Sequence, residues 1–358
     1  MLSAITRIFK LDLADKLGIR RRPLVIQLPI TGKCNSRCVT CNVWKQDTHN
    51  DIDPEKLGKV LSHPYFSKVR SVGVNGGETV LHRQFEKVID TLFVLPNLRD
   101  ITLISNGLLT NILLEKLEVV HSKCREHGVH LALVFSVDSI GETHDIVRGV
   151  PNAFSKTSST VLEVLKDESK YCDSFRLGCT ISRYNVYELF KVESFADENN
   201  VDVEYHLAVP NKRIHTFNDA ERYSVLSDEK AKLMAIEFFQ SRMSKAKNIG
   251  DKMRYYMQIL YLQNGGKGRL STCNFRYRDI TIDENMEFYL CATASDSLGN
   301  IYDEGVENVT SKKRFKKAEM QVFSNCDTCI HYCWSPTIKG VFIIAIEKLR
   351  LIWRSKMF

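Results

Sequence analysis

No stretch of about twenty uninterrupted apolar residues occurs in this chain of 358, so the sequence offers no membrane-spanning helix. Nor is a cleavable apolar leader visible, since the first twenty-two residues carry charges throughout. Eleven cysteines are therefore expected to serve as metal-bound thiolates in a reducing cytoplasmic setting rather than as disulfides of a secreted module. Basic residues form no long run interleaved with aromatics, and a net charge of +7 is modest at this length, so nucleic acid is not an expected partner. Internal repeats and low-complexity segments are missing too, and Asn264-Gly-Gly-Lys-Gly268 is the clearest flexible joint. What is left is a chain long enough for one large α/β domain with a smaller appendage.

Cys34, Cys38 and Cys41 stand in one short segment with three and then two residues between them. Three thiolates from a single loop can hold a 4Fe-4S cluster and leave one iron open, where a small molecule can bind through its amine and carboxylate. A zinc knuckle or three buried cysteines are the plainer alternatives, but zinc usually takes four closed ligands and no nearby His completes the set. The spacing resembles that of the radical SAM superfamily, in which an electron from the cluster splits S-adenosylmethionine into methionine and a 5'-deoxyadenosyl radical.

Short β-rich runs alternate with helical patterns over the first two-thirds of the chain. The expected strands are Leu24 to Leu28, Val69 to Val74, Asp100 to Ser105, His130 to Val137, Ser174 to Ile181 and Val201 to His206. Helices are expected at Pro54 to Ser62, Gln84 to Phe93 and Asn111 to His127. The resemblance implies an open six-unit barrel, a partial (β/α)6 TIM-type fold, over about residues 23–225. Residues 1–22 then form a basic amphipathic helix, 226–336 hold linker helices and an auxiliary domain, and 337–358 form a second basic amphipathic helix. Loops at the carboxyl ends of such strands converge on one mouth.

Asn75-Gly76-Gly77-Glu78-Thr79 follows the second strand, and its glycines let backbone approach a ligand closely. It resembles the family's Gly-Gly-Glu-Pro loop, with Thr79 in place of proline, which implies that its carbonyls and Glu78 receive the ammonium of the cofactor's methionine. By the same resemblance Ser136 hydrogen-bonds the ribose and Arg148 pairs with the cofactor carboxylate, as a guanidinium does through two parallel hydrogen bonds. Asp138 is placed to orient polar groups at this mouth, and Asn106, before Gly107, either contacts the cofactor or turns the chain. His144 reads as a packed histidine at a helix start.

A second constellation comprises Cys273, Cys291, Cys326, Cys329 and Cys333. Between the first two, Asp279 to Leu290 reads as two short strands around an Asp-Glu-Asn turn, a hairpin that brings both thiols together. This resembles the Twitch form of the SPASM extension, a hairpin and helix enclosing one auxiliary 4Fe-4S cluster. The usual hairpin glycine is replaced by Asn285 and Met286, of which Asn tolerates left-handed geometry. The expected ligands are Cys273, Cys291, Cys326 and Cys329, with Cys333 as the alternative to Cys329. A four-thiolate zinc remains the rival occupant.

An auxiliary cluster can take an electron from a substrate radical. The resemblance therefore implies an oxidoreductase or epimerase that abstracts hydrogen from an unactivated carbon of a small molecule, glycan or peptide. Oxidation gives a ketone, whereas epimerisation needs a thiol hydrogen donor, for which Cys179 and Cys333 are the candidates. Cys124 and Cys172 look like ordinary structural cysteines. A peptide maturase and a non-catalytic metal protein are the alternatives. A reductant such as flavodoxin or ferredoxin is an implied partner. Both terminal stripes, Leu2, Ile5, Phe9 and Leu13 with Arg20-Arg21-Arg22, and Val341 to Trp353, fit either packing on the barrel or peripheral contact with an anionic membrane.

Overall fold

Parallel pairing of consecutive strands organises the computed structural model, which describes residues 13, 22–46, 50–269, 271–331 and 334–336. Most of the amino-terminal stripe, the segment 337–358 expected to form the second amphipathic helix, and Cys333 lie outside the described residues. Strands β1 (Val25–Pro29), β2 (Ser71–Asn75), β3 (Asp100–Ser105), β4 (His130–Ser136), β5 (Ser174–Ile181) and β6 (Val203–Leu207) each pair with the next in parallel. β3 and β5 match expectation residue for residue. β2 and β6 start later because Val69 and Val201, though apolar, close the preceding turns: Val69 N donates to Phe66 O at 2.9 Å and Val201 N to Ala196 O at 2.9 Å. Helices Pro54–Leu61, Phe85–Leu92 and Thr110–Glu126 occupy the intervals expected of them. Asp53 caps the first, accepting from Glu55 N and Lys56 N ahead of a first-turn proline.

Alternation along the strands decides which side chains see the inner face. On β5, Leu177, Cys179 and Ile181 are buried among helices, and on β6 Tyr205 packs on Phe238 of helix Glu229–Lys245 with ring centroids 4.8 Å apart. Arg176, Thr180, Glu204 and His206 take the other face. There Arg176 Nε lies 3.0 Å from Glu204 Oε2, and Thr180 Oγ1 lies 3.0 Å from His206 Nε2. Arg254, on helix Ile249–Gln263, reaches Glu204 Oε1 at 3.5 Å, so this helix borders the inner face at the β6 edge.

The expected hairpin forms, as β8 (Ile280–Ile282) antiparallel to β9 (Phe288–Tyr289), after the short β7 (Ser271–Cys273), which pairs with β10 (Trp334–Pro336). Its place in the fold adds to the sequence reading. β8 hydrogen-bonds in parallel to β1, so the hairpin extends the barrel sheet in the order β6-β5-β4-β3-β2-β1-β8-β9. The left-handed turn residue is Met286, at φ 62°, not Asn285. Burial of its side chain, which only 4 % exposure leaves to solvent, offsets the backbone cost. Asp283 organises the turn: its Oδ1 accepts from the amides of Asn285 and Glu287, each at 3.0 Å, and Tyr289 Oη donates to Oδ2 at 3.2 Å.

At the carboxyl ends of the strands the segment holding Cys34, Cys38 and Cys41 is gripped by three neighbours. Gly77 N donates to Thr31 O and Glu78 N to Lys33 O, both at 2.7 Å. From the other side, Arg37 N donates to Arg148 O at 2.8 Å and Val39 N to Val147 O at 3.0 Å, so helix Gly141–Arg148 spends its terminal carbonyls on this loop. Asn106 Nδ2 donates to Asn35 Oδ1 at 2.7 Å and to Ser36 Oγ at 3.0 Å. Glycine is required at these contacts. A Cβ on Gly77 would lie 2.0 Å from Lys33 O, and one on Gly149, at φ 63°, would lie 2.5 Å from Arg37 O. The paired glycines thus serve close approach to the cysteine loop itself. Gly77→Ala is expected to cost about 1–3 kcal/mol or more through overpacking. It should also lower iron uptake at the amino-terminal cysteines while sparing the carboxyl-terminal ones. Urea denaturation and metal analysis after anaerobic reconstitution check both effects, and full uptake by the variant would contradict them.

Candidate active site

The three thiols of the gripped loop are half-buried, and burial pushes Cys34 up to about 11 and Cys41 to about 12. Thiols so placed give up their protons to a cationic metal centre rather than to water. Arg148 lies against them, with Nη1 3.7 Å from Cys38 Sγ and Nη2 2.9 Å from Asp138 Oδ2. Asp138 is fixed in turn, its Oδ1 accepting from Thr180 N at 2.8 Å while its own amide donates to His144 Nδ1 at 3.3 Å. Burial, then the Arg148 charge, drive His144 down to about 3, so it acts as a neutral acceptor. Arg148 Nε is buried with no hydrogen-bond partner among the described residues. A guanidinium nitrogen left over beside three soft thiols is the donor set that a cluster with a carboxylate-bearing ligand would use, and the residues fit that group.

Glu78 is buried, and burial holds its carboxyl above the usual range. Both its oxygens are engaged, Oε1 by Ser105 Oγ and Oε2 by Asn106 N, each at 2.8 Å. It therefore ties the Gly76-Gly77 loop to the end of β3, and Asn106 passes that tie on to the cysteine loop. Ser136 is half-buried at the end of β4, opposite Gly178.

Cys273, Cys291, Cys326 and Cys329 line one cavity of about 210 Å3, which also touches Gln27, Asn75 and Arg213. Burial pushes Cys326 up to about 12, and it raises Cys291 and Cys329 as well. Arg269 braces the site by donating from Nη1 to Cys329 O at 3.2 Å and from Nε to Ser271 O at 3.1 Å. Among the described residues no group of three His, Cys, Asp or Glu side chains could hold a single metal ion, so four thiols around one cavity, with an arginine on their backbone, suit a cluster better than one zinc. Gln27 and Asn75 stand on β1 and β2, bonded to each other at 2.9 Å, so the cavity opens toward the barrel's inner face. The two cysteine groups thus flank one interior.

Cys179 does not reach that interior. It is fully buried on the helix-facing side of β5, its Sγ donating to Asp138 O at 3.5 Å, and burial raises its thiol well above the ordinary value. A thiol with no access to the mouth has no route to a substrate radical, which corrects the hydrogen-donor expectation for Cys179. Cys124 and Cys172 are buried, in keeping with structural roles. Residues that the sequence reading missed include His206, Thr180, Arg213 and His331. Arg213 pairs with Glu284 at 3.1 Å inside the protein, donates its amide to Ala292 O at 3.0 Å and lines the auxiliary cavity. Burial holds His206 below its ordinary value, and burial, then the charge of His206, take His331 to about 3. Only position parity on β6 could have singled out His206 in the sequence.

Known proteins offer likenesses of both sequence and fold. No protein-family model matches the chain. It is 32% identical over 155 residues to a probable GTP 3',8-cyclase of Methanocaldococcus jannaschii, covering 42% of this chain and 51% of the relative, about half that protein's length. A probable GTP 3',8-cyclase of Archaeoglobus fulgidus is 23% identical over 285 residues, 72% of this chain and 88% of the relative. Among solved structures, anSMEcpe with bound AdoMet and a Cp18Cys peptide superposes with a TM-score of 0.59 at 17% identity, over 93% of this chain and 99% of that one. In its cysteine spacing, its open parallel barrel and its sequence, the chain is similar to enzymes of the radical SAM superfamily, whose cofactors are S-adenosyl-L-methionine and 4Fe-4S clusters.

Proposed function

We propose that this protein reductively cleaves S-adenosyl-L-methionine at Cys34, Cys38 and Cys41 and uses the resulting radical to take hydrogen from an unactivated carbon of a small molecule, glycan or peptide. The observation that carries the reading is the grip on the cysteine loop by the Gly76-Gly77-Glu78 turn, Asn106 and the end of helix Gly141–Arg148. When bound, the cluster and its ligand supply one electron and a 5'-deoxyadenosyl radical. The chain's own residues then bind and orient. Arg148, steadied by Asp138, offers its unpartnered Nε to the methionine carboxylate. Carbonyls of the Gly76-Gly77 turn, held by Glu78, would receive the methionine ammonium, and Ser136 would hydrogen-bond the ribose.

Cys273, Cys291, Cys326 and Cys329 would hold one auxiliary cluster, which accepts an electron if the substrate radical is oxidised. Among the described residues no thiol outside the two cysteine groups faces the interior, which favours oxidation over epimerisation. In an alcohol, loss of a carbon-bound hydrogen atom, a hydroxyl proton and one electron gives the ketone. A peptide substrate is the second reading, favoured by the fold shared with the peptide-bound anSMEcpe structure.

Anaerobically reconstituted protein given dithionite is expected to release 5'-deoxyadenosine, and Cys38→Ala to abolish that release while iron content falls by about half. Release undiminished in Cys38→Ala, or zinc retained at the amino-terminal site, would refute the assignment. Turnover in deuterated water separates the two chemistries. An oxidised product should carry no solvent deuterium at the reacting carbon, whereas thiol-mediated epimerisation would place it there.

A further inference from the structure

Helix Lys312–Asn325 presents an unusual outer face. Phe315, Ala318 and Val322 turn inward, Phe315 stacking on Phe288 of β9 with ring centroids 6.3 Å apart, and Arg314 pairs with Glu304 at 2.6 Å. Outward, Lys312, Lys313, Lys316 and Lys317 are all exposed. None forms an ion pair or side-chain hydrogen bond among the described residues. Elsewhere the surface lysines are commonly paired, as Lys33, Lys116, Lys123 and Lys212 are with nearby acids.

The placement is electrostatically unfavourable. The helix's first turn holds two of the lysines and Arg314 and no acid, at the end where the backbone dipole is positive. A cation there is repelled by the helix dipole at low ionic strength. Folding gains nothing from that arrangement. One further turn along the same stripe stands Met320, 60% exposed, the most exposed of the large apolar side chains in the described residues. An apolar residue one turn beyond a row of unpaired cations is the composition of a surface that meets an acidic partner.

The helix ends at Cys326, one of the four thiols of the auxiliary cavity. At about 1.5 Å rise per residue, Met320 stands about 9 Å along the axis from that cysteine. The proposed reaction needs an electron that the chain does not itself contain. We propose that the lysine and methionine face of helix Lys312–Asn325 is the docking surface for an acidic one-electron carrier protein, which passes its electron in through the auxiliary cysteine site. The step is a simple one-electron exchange: the carrier's reduced cofactor is oxidised by one electron and the enzyme's cluster reduced by one, with no bond made or broken. This rests on the iron–sulfur reading of both cysteine groups.

The test uses full-length reconstituted enzyme and reduced flavodoxin as the probe, following cluster bleaching by anaerobic stopped flow. Lys313→Glu with Lys316→Glu and Lys317→Glu should slow reduction at low salt by about tenfold or more, and added salt should slow the unsubstituted enzyme far more than the variant. Met320→Ala should slow it severalfold. Reduction by dithionite should stay within about twofold in every variant, since a small anion needs no docking face. A flavodoxin rate unchanged in the charge-reversed protein overturns the proposal. So does loss of binding to phosphatidylglycerol vesicles with the flavodoxin rate intact, which would assign the face to a membrane. Failure of the unsubstituted protein to form clusters, or to release 5'-deoxyadenosine with dithionite, refutes the underlying iron–sulfur reading instead.

Discussion

Backbone hydrogen bonds between neighbouring strand-end loops are the constraint on which the rest of this structure depends. The cysteine loop has no regular secondary structure around its thiols, and its amides and carbonyls must be satisfied from outside. They are met by the turn after β2 and by the last carbonyls of helix Gly141–Arg148, while Asn106 holds the loop's Asn35 and Ser36 side chains. Each contact is main-chain or short-amide chemistry at close range. Glycine therefore becomes obligatory at 77 and 149, where a Cβ would strike a carbonyl oxygen. A loop fixed this way holds three thiols in one geometry with Asn106 as the main outside side chain engaged, which leaves the side chains of Arg148, Asp138 and Ser136 to line the mouth.

Much of this was legible in the sequence, and the reasons differ by residue. The cysteine spacing and the Gly-Gly-Glu turn are local, so their chemistry shows within a few positions. β3 and β5 show as β-rich runs standing between helical patterns. Other features escaped because they depend on partners distant in the chain. Nothing near Ile280 announces that the hairpin adds to the β1 edge, for that pairing joins residues some 250 positions apart. Glycine at 77 looked like room for a ligand, since sequence does not say what stands opposite a missing side chain. Met286 was passed over in favour of Asn285 because intrinsic preference ranks asparagine first, whereas the burial of the methionine side chain decides the case.

Charge distribution follows the same division between inside and outside. Among the ion pairs taken out of water, those of Arg148 with Asp138 and of Arg213 with Glu284 each lie beside a cysteine group. Buried pairs contribute little net stability, because desolvation offsets their attraction. Their placement makes sense as fixed positive charge near thiolates that burial alone would keep protonated. At Cys38 the guanidinium contact is direct, at 3.7 Å.

Strand parity carries the argument from fold to chemistry. Cys179 and Tyr205 face each other in register across β5 and β6, as do Thr180 and His206 one position on. Because successive side chains alternate faces, the first pair must enter the helical layer if the second enters the interior. Tyr205 packs on Phe238, which fixes the sense of the alternation, and the thiol goes with it. The interior wall at this level therefore presents a hydroxyl and a neutral imidazole, groups that hydrogen-bond and accept protons, in place of a sulfur that donates hydrogen atoms. A single-residue slip in β5 would have exchanged them.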